Sequence, residues 1–175
     1  EVAEHLTIEV SNLQPWIDEF VPEAGKINSI KQFKGGQSNP TYKIVTESKN
    51  LVLRRKPPGK LLPSAHAVDR EYKVITALYE TDVPVPKTYG LCEDDDVAGT
   101  AFFVMDFLDG DLFWDPMIPS LSNQDRTEIY QNKNKTLALL HGVDYKKIGL
   151  EDYGKPGNYV ARQVSRWSKQ YRASE

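Results

Sequence analysis

A glycine pair in the first half of the sequence has the composition of a phosphate-contacting loop. Gly35 and Gly36 stand between two segments of β-type residues, within "FKGGQSNPTYKIVT" at 33–46. Backbone without Cβ atoms can approach a ligand closely and adopt positive φ, so its N–H groups can meet phosphate oxygens. An ordinary hairpin bend is the alternative for a lone glycine pair. The residues of the candidate loop are Gly35, Gly36, Gln37, Ser38 and Asn39.

A cation that could hold phosphates lies in the β-type segment "LVLRR" at 51–55. Because strand side chains alternate, Val52 and Arg54 share one face, and Arg55 lies on the other with the leucines. If Val52 lies against a nucleobase, Arg54 would reach toward the α- and β-phosphates from the same side of the strand. Arginine is suited to this role because it supplies a fixed charge and a fork that binds oxyanions. The alternative is a strand end with solvated basic residues.

A carboxylate for that cation is available on the following predicted helix. Glu71 comes 17 residues after Arg54 (71 − 54). If the fold buries Arg54, its side chain needs a counter-ion, because an unpaired buried charge is costly. We therefore expect Glu71 to pair with Arg54. The alternative is a solvated helix face on which Glu71 pairs with Lys73 or Arg70.

The segment "FFVMDFLDGDLF" predicts a hinge that could read a nucleobase. An apolar strand ends near Met105 and turns at Asp106 to Leu108 before Gly110. Backbone groups of such a turn can bind the edge of an adenine. With these, the candidate nucleotide-binding set gains Val52, Arg54, Glu71, Met105, Asp106 and Leu108.

The elements that must position these residues follow from periodicity and turn residues. Helical spacing at 12–21 and from about 67, and alternation elsewhere, predict two helices and three early strands. Two further strands, joined by the acidic turn "DDDVAG", precede the hinge, and longer helical segments follow it. The predicted strands are 26–33, 41–46, 51–55, "KTYGLCE" and "TAFFVMDFL"; the later helices are "LSNQDRTEIYQNKNKTLALLHG" and the segment after 158.

This order excludes two common nucleotide folds. In a Rossmann domain the glycine turn joins a strand to a helix, and a Walker A loop needs Gly-Lys-Ser/Thr. The sequence instead predicts an α+β fold, a protein-kinase-like small lobe with a five-stranded antiparallel sheet plus helix. We place this lobe and its hinge at 1–110, and the first helices of a truncated large helical lobe at 111–175.

The composition is that of a globular protein without a general nucleic-acid surface. The 175 residues are 39% hydrophobic and 27% charged, and the net charge is −3. No apolar run reaches the length of a membrane span. The single cysteine, Cys92, excludes an internal disulfide and suggests a reducing, intracellular compartment.

Several longer stretches resemble a known family. "GGQSNPTY", "LVLRRKPPGKLLPSAHAVDREYKVITAL", "GTAFFVMDF" and "LALLH" resemble the aminoglycoside phosphotransferase and choline kinase-like family. Within it they are most similar to the kinase-like domain of acyl-CoA dehydrogenase family members ten and eleven. The resemblance implies ATP as phosphoryl donor, held by Arg54 and Glu71, with Mg²⁺ in the parent protein. It also implies a small hydroxylated substrate such as a hydroxyacyl-CoA, a fused acyl-CoA dehydrogenase, and a mitochondrial or peroxisomal location.

Two short motifs imitate catalytic loops of that family. "HGVD" at 141–144 and "DYG" at 152–154 are separated by seven residues (152 − 144 − 1), too few for the strand pair between base and metal ligand. We expect no catalytic residue and no metal ligand in this chain, and we expect the true ones beyond Glu175. The chain alone should then be inactive, and an exposed apolar patch is expected on the helix at 122–141. A kinase-like interaction module without nucleotide turnover is the alternative.

Other polar groups have simpler interpretations. The acidic run at 93–96 lacks the ligand spacing of a calcium loop and is expected to be a solvated turn. Cys92, His66 and His141 have no companions at metal-ligand spacing. We expect structural or surface roles for them.

Overall fold

The computed structural model describes residues 6–33, 39–59 and 66–174. Its helices and strands follow the predicted order. The strands are β1 (Ile27–Gln32), β2 (Thr41–Thr46), β3 (Asn50–Arg55), β4 (Thr88–Cys92) and β5 (Phe102–Asp106). The helices are α1 (Val10–Phe20), α2 (Val68–Leu78), α3 (Asp95–Ala98), α4 (Asn123–Gly142) and α5 (Tyr159–Ser174), with a 3₁₀ turn at Pro22–Ala24.

The five strands form one antiparallel sheet in the order β1-β2-β3-β5-β4. β3 is therefore central, between β2 and β5. This arrangement confirms the predicted α+β class and the kinase-like small lobe. Centrality matters for the site, because side chains of β3 are flanked by neighbours on both sides.

One face of the sheet packs on α1. Apolar residues of α1 at helical spacing are buried against alternate residues of the central strands, as the two periodicities require. This core contains Leu13, Trp16, Ile17, Tyr42, Ile44, Leu51, Leu53, Phe102 and Val104. The predicted alternation of β3 is thus observed, with its leucines on the α1 face.

The other face of the sheet carries α2. Val52 and Phe103 are buried without belonging to the α1 core, and the ring centroids of Tyr72 and Phe103 are 6.0 Å apart. Val68 and Leu78 bury the two ends of α2. Arg54 pairs with Phe103 across β3 and β5, so Arg54 and α2 lie on the same side of the sheet.

The predicted acidic turn contains a short helix. Asp94 accepts a hydrogen bond from the backbone N–H of Asp96, which caps the first turn of α3. Gly99 ends α3 at φ 80°, a conformation that glycine adopts without strain. Local capping thus converts a solvated turn into one helical turn. Ser122 caps α4 in the same way by accepting from the N–H of Asp125.

The chain divides into two compact units, Glu1–Val143 and Asp144–Glu175. The second contains α5, whose apolar residues are largely exposed within the unit. In α4 of the first unit, Leu137 and Leu140 are also exposed, whereas Ile129 is half-buried. The exposed apolar residues of α5 are Tyr159, Val160, Val164, Trp167 and Tyr171. The predicted boundary between lobes at 110/111 stays a prediction.

Among the described residues, none of the helices combines the length and the apolar character needed to cross a bilayer.

Candidate functional site

The centre of the candidate site is a side-on ion pair between β3 and α2. Arg54 donates from Nε to Glu71 Oε2, and from Nη2 to Glu71 Oε1 at 3.2 Å. The two side chains are about one-third exposed. Two parallel hydrogen bonds between an arginine fork and a carboxylate fix the direction of both groups. The predicted partnership of these residues is observed in the structure.

Two further residues close this pair into a ring of hydrogen bonds. Arg54 Nη1 donates to Thr41 Oγ1 at 3.0 Å, and Thr41 Oγ1 donates to the carbonyl of Asn39 at 3.1 Å. The Asn39 side-chain amide donates to Glu71 Oε1 at 3.0 Å, which returns to the ion pair. Thr41 lies opposite Arg54 in the β2–β3 register. Asn39 is only 5% exposed, so its amide needs these partners.

The ring leaves part of the arginine fork available for a ligand. A guanidinium has five N–H donors. Three of them are used, one each toward Glu71 Oε2, Glu71 Oε1 and Thr41 Oγ1. Two N–H groups (5 − 3) have no acceptor among the described residues. A fixed guanidinium that is about one-third exposed and has further N–H donors is suited to phosphate oxygens.

The structure places only part of the predicted phosphate loop. Gly35, Gly36, Gln37 and Ser38 lie outside the described residues, so their contact with a phosphate stays a prediction. Asn39, the last residue of the predicted loop, joins the ring directly. The end of the loop is therefore tied to the ion pair.

Some backbone N–H groups of the hinge already have acceptors at the edge of the strands. The N–H of Asp106 donates to the carbonyl of Lys87 at 2.9 Å, and that of Phe107 approaches the carbonyl of Asn50 at 3.4 Å. Within the described part of the chain, no acceptor is recorded for the N–H of Leu108, whose side chain is exposed. The N–H of Leu108 therefore stays a candidate donor for the edge of a nucleobase.

The predicted base-contacting residues lie on the α2 side of the sheet. Val52 is 7% exposed and pairs with the half-buried Met105 across β3 and β5. Since both share their strand face with Arg54 or Phe103, they form an apolar floor that continues from the ion pair toward the hinge. A nucleobase on this floor would lie beside Leu108.

An aromatic cluster that was not predicted from the sequence lies beside this floor. The rings of Phe33 and Phe107 are nearly parallel at 11°, with centroids 6.4 Å apart. Lys43 Nζ lies 3.9 Å from the centroid of the Phe107 ring. Lys43 pairs with Val52 in the β2–β3 register, which places its side chain on the same face. Side chains two positions apart on a strand share a face, so continuing the alternation from Met105 to Phe107 could have placed Phe107 on the same face as Met105.

Arg55, next to the ion pair in sequence, is buried on the opposite face. It is 3% exposed and donates to the carbonyl of Ala98 at 2.6 Å, to that of Leu6 at 3.1 Å, and to Tyr42 Oη at 3.0 Å. Its Nε has no partner among the described residues. The basic end of β3 is therefore not a solvated strand end. Arg54 faces the candidate site, and Arg55 joins the core.

A second polar cluster holds the side chain of Asp106 away from the floor. Asp106 Oδ1 lies 3.0 Å from Lys49 Nζ and accepts from Tyr89 Oη at 2.7 Å, and Lys49 Nζ also donates to Tyr89 Oη. Burial would lower the pKa of Lys49, but its bonds to Tyr89 and Asp106 outweigh burial and raise the pKa. Burial raises the pKa of the Tyr89 phenol. These contacts fix the residue that begins the hinge.

The first imitation of a catalytic loop, "HGVD" at 141–144, has local structural contacts. Asp144 Oδ1 accepts from the backbone N–H groups of Lys146 and Lys147, at 3.1 and 3.4 Å, and so caps a turn. His141 lies in the last turn of α4 and is exposed. No group of three or more metal-ligating side chains is found in residues 6–33, 39–59 and 66–174. The expectation that the Mg²⁺ ligands lie elsewhere in the parent protein stays a prediction.

Comparison with protein families matches residues 29–175 to the model of the phosphotransferase enzyme family. A crystal structure from Ralstonia eutropha, named as an aminoglycoside phosphotransferase, superimposes with a TM-score of 0.79 and 48% identity. That superposition covers 97% of this chain and 49% of the other.

Curated relatives are much longer proteins. The probable acyl-CoA dehydrogenase IBR3 of Arabidopsis thaliana is 54% identical over 150 residues, and acyl-CoA dehydrogenase family member 10 of Mus musculus is 47% identical over 146 residues. Each match covers 83% of this chain, but 18% and 14% of the relative. Family member 11 of Rattus norvegicus is 40% identical over 178 residues, which cover 99% of this chain and 23% of the relative. With a family match over most of its length and a kinase-like small lobe, the chain belongs to the phosphotransferase enzyme family.

Proposed function

We propose that this chain is the ATP-binding part of a small-molecule phosphotransferase that acts on a hydroxyl group. The observation that carries the proposal is the Arg54–Glu71 pair, whose guanidinium has two N–H donors without an acceptor among the described residues, beside an apolar floor. In kinase-like folds a strand cation held by a helix carboxylate neutralises the α- and β-phosphates. Arginine can do this as well as lysine, with a fork that binds two oxygens.

The neighbouring residues support a defined place for each part of the nucleotide. The base would lie on Val52 and Met105 and accept or donate at the hinge near Leu108. The rings of Phe33 and Phe107 would lie beside it, because aromatic side chains offer faces on which a base can stack. The phosphates would extend toward Arg54 and the loop that ends at Asn39.

For the acceptor, we propose a hydroxyacyl-CoA. The support is that the matched region is part of much longer proteins in the relatives. These relatives are named as acyl-CoA dehydrogenases and are several times longer than the matched region. A phosphotransferase joined to such an enzyme gains by acting on the same acyl-CoA pool. Proximity raises the effective concentration of a shared substrate.

Transfer of the phosphoryl group needs a base for the hydroxyl and carboxylates for Mg²⁺. Because this chain spans 49% of the crystal structure that it matches and 14–23% of the curated relatives, we propose that these groups belong to a part of the protein outside this chain. The chain alone should then bind ATP weakly and release no phosphate. ATP hydrolysis above the level of an Arg54→Ala variant would contradict this.

An interaction module is the second candidate function. It is favoured by the row of exposed apolar residues on α5, including Val164, Trp167 and Tyr171, which lie on one side at helical spacing. In that case the chain would present a surface to another protein and leave the nucleotide site unused. Both functions are compatible with the observed fold, so a measurement of ATP binding must distinguish them.

Titration calorimetry with Mg-ATP separates the two functions. ATP binding predicts a saturable heat for the chain and an affinity at least about tenfold lower for Arg54→Ala, since a charge-assisted hydrogen bond contributes about 1.5–3 kcal/mol. Lys73→Ala is the matched control, because it removes an exposed cation from the same helix that carries Glu71. Absence of any heat with folded protein would support the interaction module. Equal affinity of the Arg54 and Lys73 variants would place the phosphates elsewhere.

A further inference from the structure

His66 contacts the hydrogen-bond ring through a side chain that sequence analysis treated as isolated. Its Nδ1 lies 2.9 Å from Asn39 Oδ1. The residue stands two positions before α2 begins, and its carbonyl accepts from the N–H of Val68 at 2.9 Å. His66 thus joins the end of the predicted phosphate loop to the start of the helix that carries Glu71.

The backbone of His66 adopts a conformation that is uncommon for residues other than glycine, although histidine is among those that adopt it more often. Its φ is 59°, in the left-handed region. Such a conformation costs free energy and persists where surrounding contacts hold it. Two contacts are available here, the side-chain bond to Asn39 and the bond from the Val68 N–H to the His66 carbonyl, and the first ties the turn to the hydrogen-bond ring.

The direction of every bond in this chain of contacts follows from Glu71. An ionised carboxylate only accepts hydrogen bonds, so the Asn39 group that faces Glu71 must be its NH₂. Asn39 Oδ1 is then turned toward His66, and it too can only accept. His66 must therefore donate from Nδ1. Glu71 fixes the amide of Asn39, and the amide fixes the tautomer of the imidazole.

We infer that His66 is a positioning residue for the nucleotide site: through Asn39 it holds the Glu71 carboxylate in the orientation that aims Arg54. The inference rests on the proposed ATP-binding function. Glu71 Oε1 accepts from both Arg54 and Asn39. Without His66, the Asn39 amide loses the bond that prevents its rotation, and the carboxylate loses its second fixed partner. Arg54 then no longer presents its two free N–H groups in one direction.

The geometry also defines which substitutions keep the function. Only the Nδ1 position donates to Asn39, and an asparagine at 66 places its side-chain NH₂ near that position. Glutamine places its NH₂ near the Nε2 position instead. His66→Asn should therefore preserve positioning, whereas His66→Gln and His66→Ala should lose it. Because asparagine also tolerates the positive φ at position 66 better than glutamine, the order of the variants is read together with the tautomer of His66, which a backbone effect does not determine.

The first test reads the tautomer by nitrogen NMR at mildly alkaline pH without nucleotide. We expect the Nδ1–H form for His66, and a shift toward the Nε2–H form in Asn39→Ala. His141, exposed in α4, serves as reference in the same spectrum. Predominance of the Nε2–H form in the unsubstituted chain would overturn the inference, whether or not ATP binds.

The second test measures Mg-ATP affinity for the three His66 variants by calorimetry. We expect His66→Asn to bind within about twofold of the unsubstituted chain, and His66→Gln and His66→Ala to bind about tenfold more weakly, the factor for one net hydrogen bond. Equal affinities in all three would overturn the inference while leaving ATP binding intact. If the unsubstituted chain does not bind Mg-ATP, the proposed function fails, and the tautomer result decides the role of His66 at Asn39.

Discussion

Arg54 and Glu71, 17 residues apart in sequence, meet side-on through two hydrogen bonds, from Nε and Nη2 of the guanidinium to the two carboxylate oxygens. The pair crosses from the central strand to the helix that packs on it. Arg54 also donates to Thr41, and Glu71 also accepts from Asn39. Neither side chain can therefore rotate without breaking a further hydrogen bond. The bonds of the two side chains thus hold the guanidinium of Arg54 in one orientation.

The first prediction concerns the energy of this pair. In a double-mutant cycle of Arg54→Ala and Glu71→Ala, we expect a coupling energy of about 1–2 kcal/mol, because bonded neighbours in a network couple in that range. The one-third exposure of both side chains keeps the value below that of a buried pair. Urea unfolding of the two single variants and the double variant measures the coupling. A coupling near zero would mean that the pair is not formed in solution.

The second prediction contrasts Arg54 with its neighbour Arg55. Arg55→Ala should lower the free energy of unfolding by about 3 kcal/mol, because it leaves the buried acceptors of Ala98, Leu6 and Tyr42 without their donor. It should leave nucleotide affinity nearly unchanged in the protein that remains folded. Arg54→Ala should do the reverse, with a small loss of stability and a large loss of affinity.

Denaturant unfolding and calorimetry on the same two variants check this contrast. The comparison is matched, because the residue type and the substitution are the same and the positions are adjacent. If Arg55→Ala were as stable as Arg54→Ala, the buried contacts of Arg55 would not form in solution.

The third prediction concerns the aromatic cluster. Phe107→Ala should weaken Mg-ATP binding about tenfold, since a base stacked on an aromatic side chain contributes about 1–3 kcal/mol. The same change should affect inorganic triphosphate little, because that ligand has no base. Phe113→Ala, an exposed phenylalanine in the segment before α4, is the control. Equal losses for ATP and triphosphate would mean that Phe107 supports the fold of the site and not the base.

The ion pair could be predicted from sequence because two simple rules determine it. Alternation along β3 puts Arg54 and Arg55 on opposite faces, and only one helix of the lobe offers a glutamate at the right distance in the chain. The roles of Thr41 and Lys43 could not be predicted from alternation alone. They depend on the β2–β3 register, in which Thr41 lies opposite Arg54 and Lys43 opposite Val52.

Other features could not be predicted because long-range packing decides them. The residues before α1 bring the Leu6 carbonyl to Arg55, and α3 brings that of Ala98. Nothing in the local sequence distinguishes a basic strand end covered in this way from one in solvent. The contact of His66 depends likewise on a positive φ at one residue, for which the sequence gives no turn signal.

The fourth prediction concerns Gly90 in β4. A Cβ at this position would lie 2.9 Å from Trp16 Cζ2 and 3.0 Å from Phe20 Cδ1. The stacked rings of Trp16 and Phe20, 4.5 Å apart, thus pack directly on the backbone of the strand. Gly90→Ala should therefore destabilise the protein by about 1–3 kcal/mol, the usual cost of overpacking.

Urea unfolding followed by tryptophan fluorescence measures the effect. Gly154→Ala is the control, because a Cβ there has no neighbour within 4 Å and its φ is not positive. We expect it to change stability by less than about 0.5 kcal/mol. If both variants had the same stability, the packing of α1 on β4 would be looser than the structure describes.

The fifth prediction is a loss of stability at alkaline pH that originates at Lys49 and Tyr89. The pKa of the Tyr89 phenol is raised by burial and by its bond to Asp106, and the pKa of Lys49 is also raised, since its bonds to Tyr89 and Asp106 outweigh burial. The folded state therefore holds both protons more tightly than the unfolded state. Their contribution is complete below the unfolded pKa values, about 10 for both groups, and is lost as pH rises above them.

Tyr89→Phe tests this dependence by removing one of the two protons and its bond to Asp106. The variant should be less stable at neutral pH, but its free energy of unfolding should fall less steeply between about pH 9.5 and 11.5 than that of the unsubstituted chain. Tyr159→Phe, an exposed tyrosine of α5, should leave the slope unchanged. Since Asp106 begins the hinge, a parallel loss of Mg-ATP affinity in Tyr89→Phe would show that this cluster also holds the hinge in place. An unchanged slope in Tyr89→Phe would mean that the phenol of Tyr89 titrates alike in the folded and unfolded chains, against the burial and the Asp106 bond described.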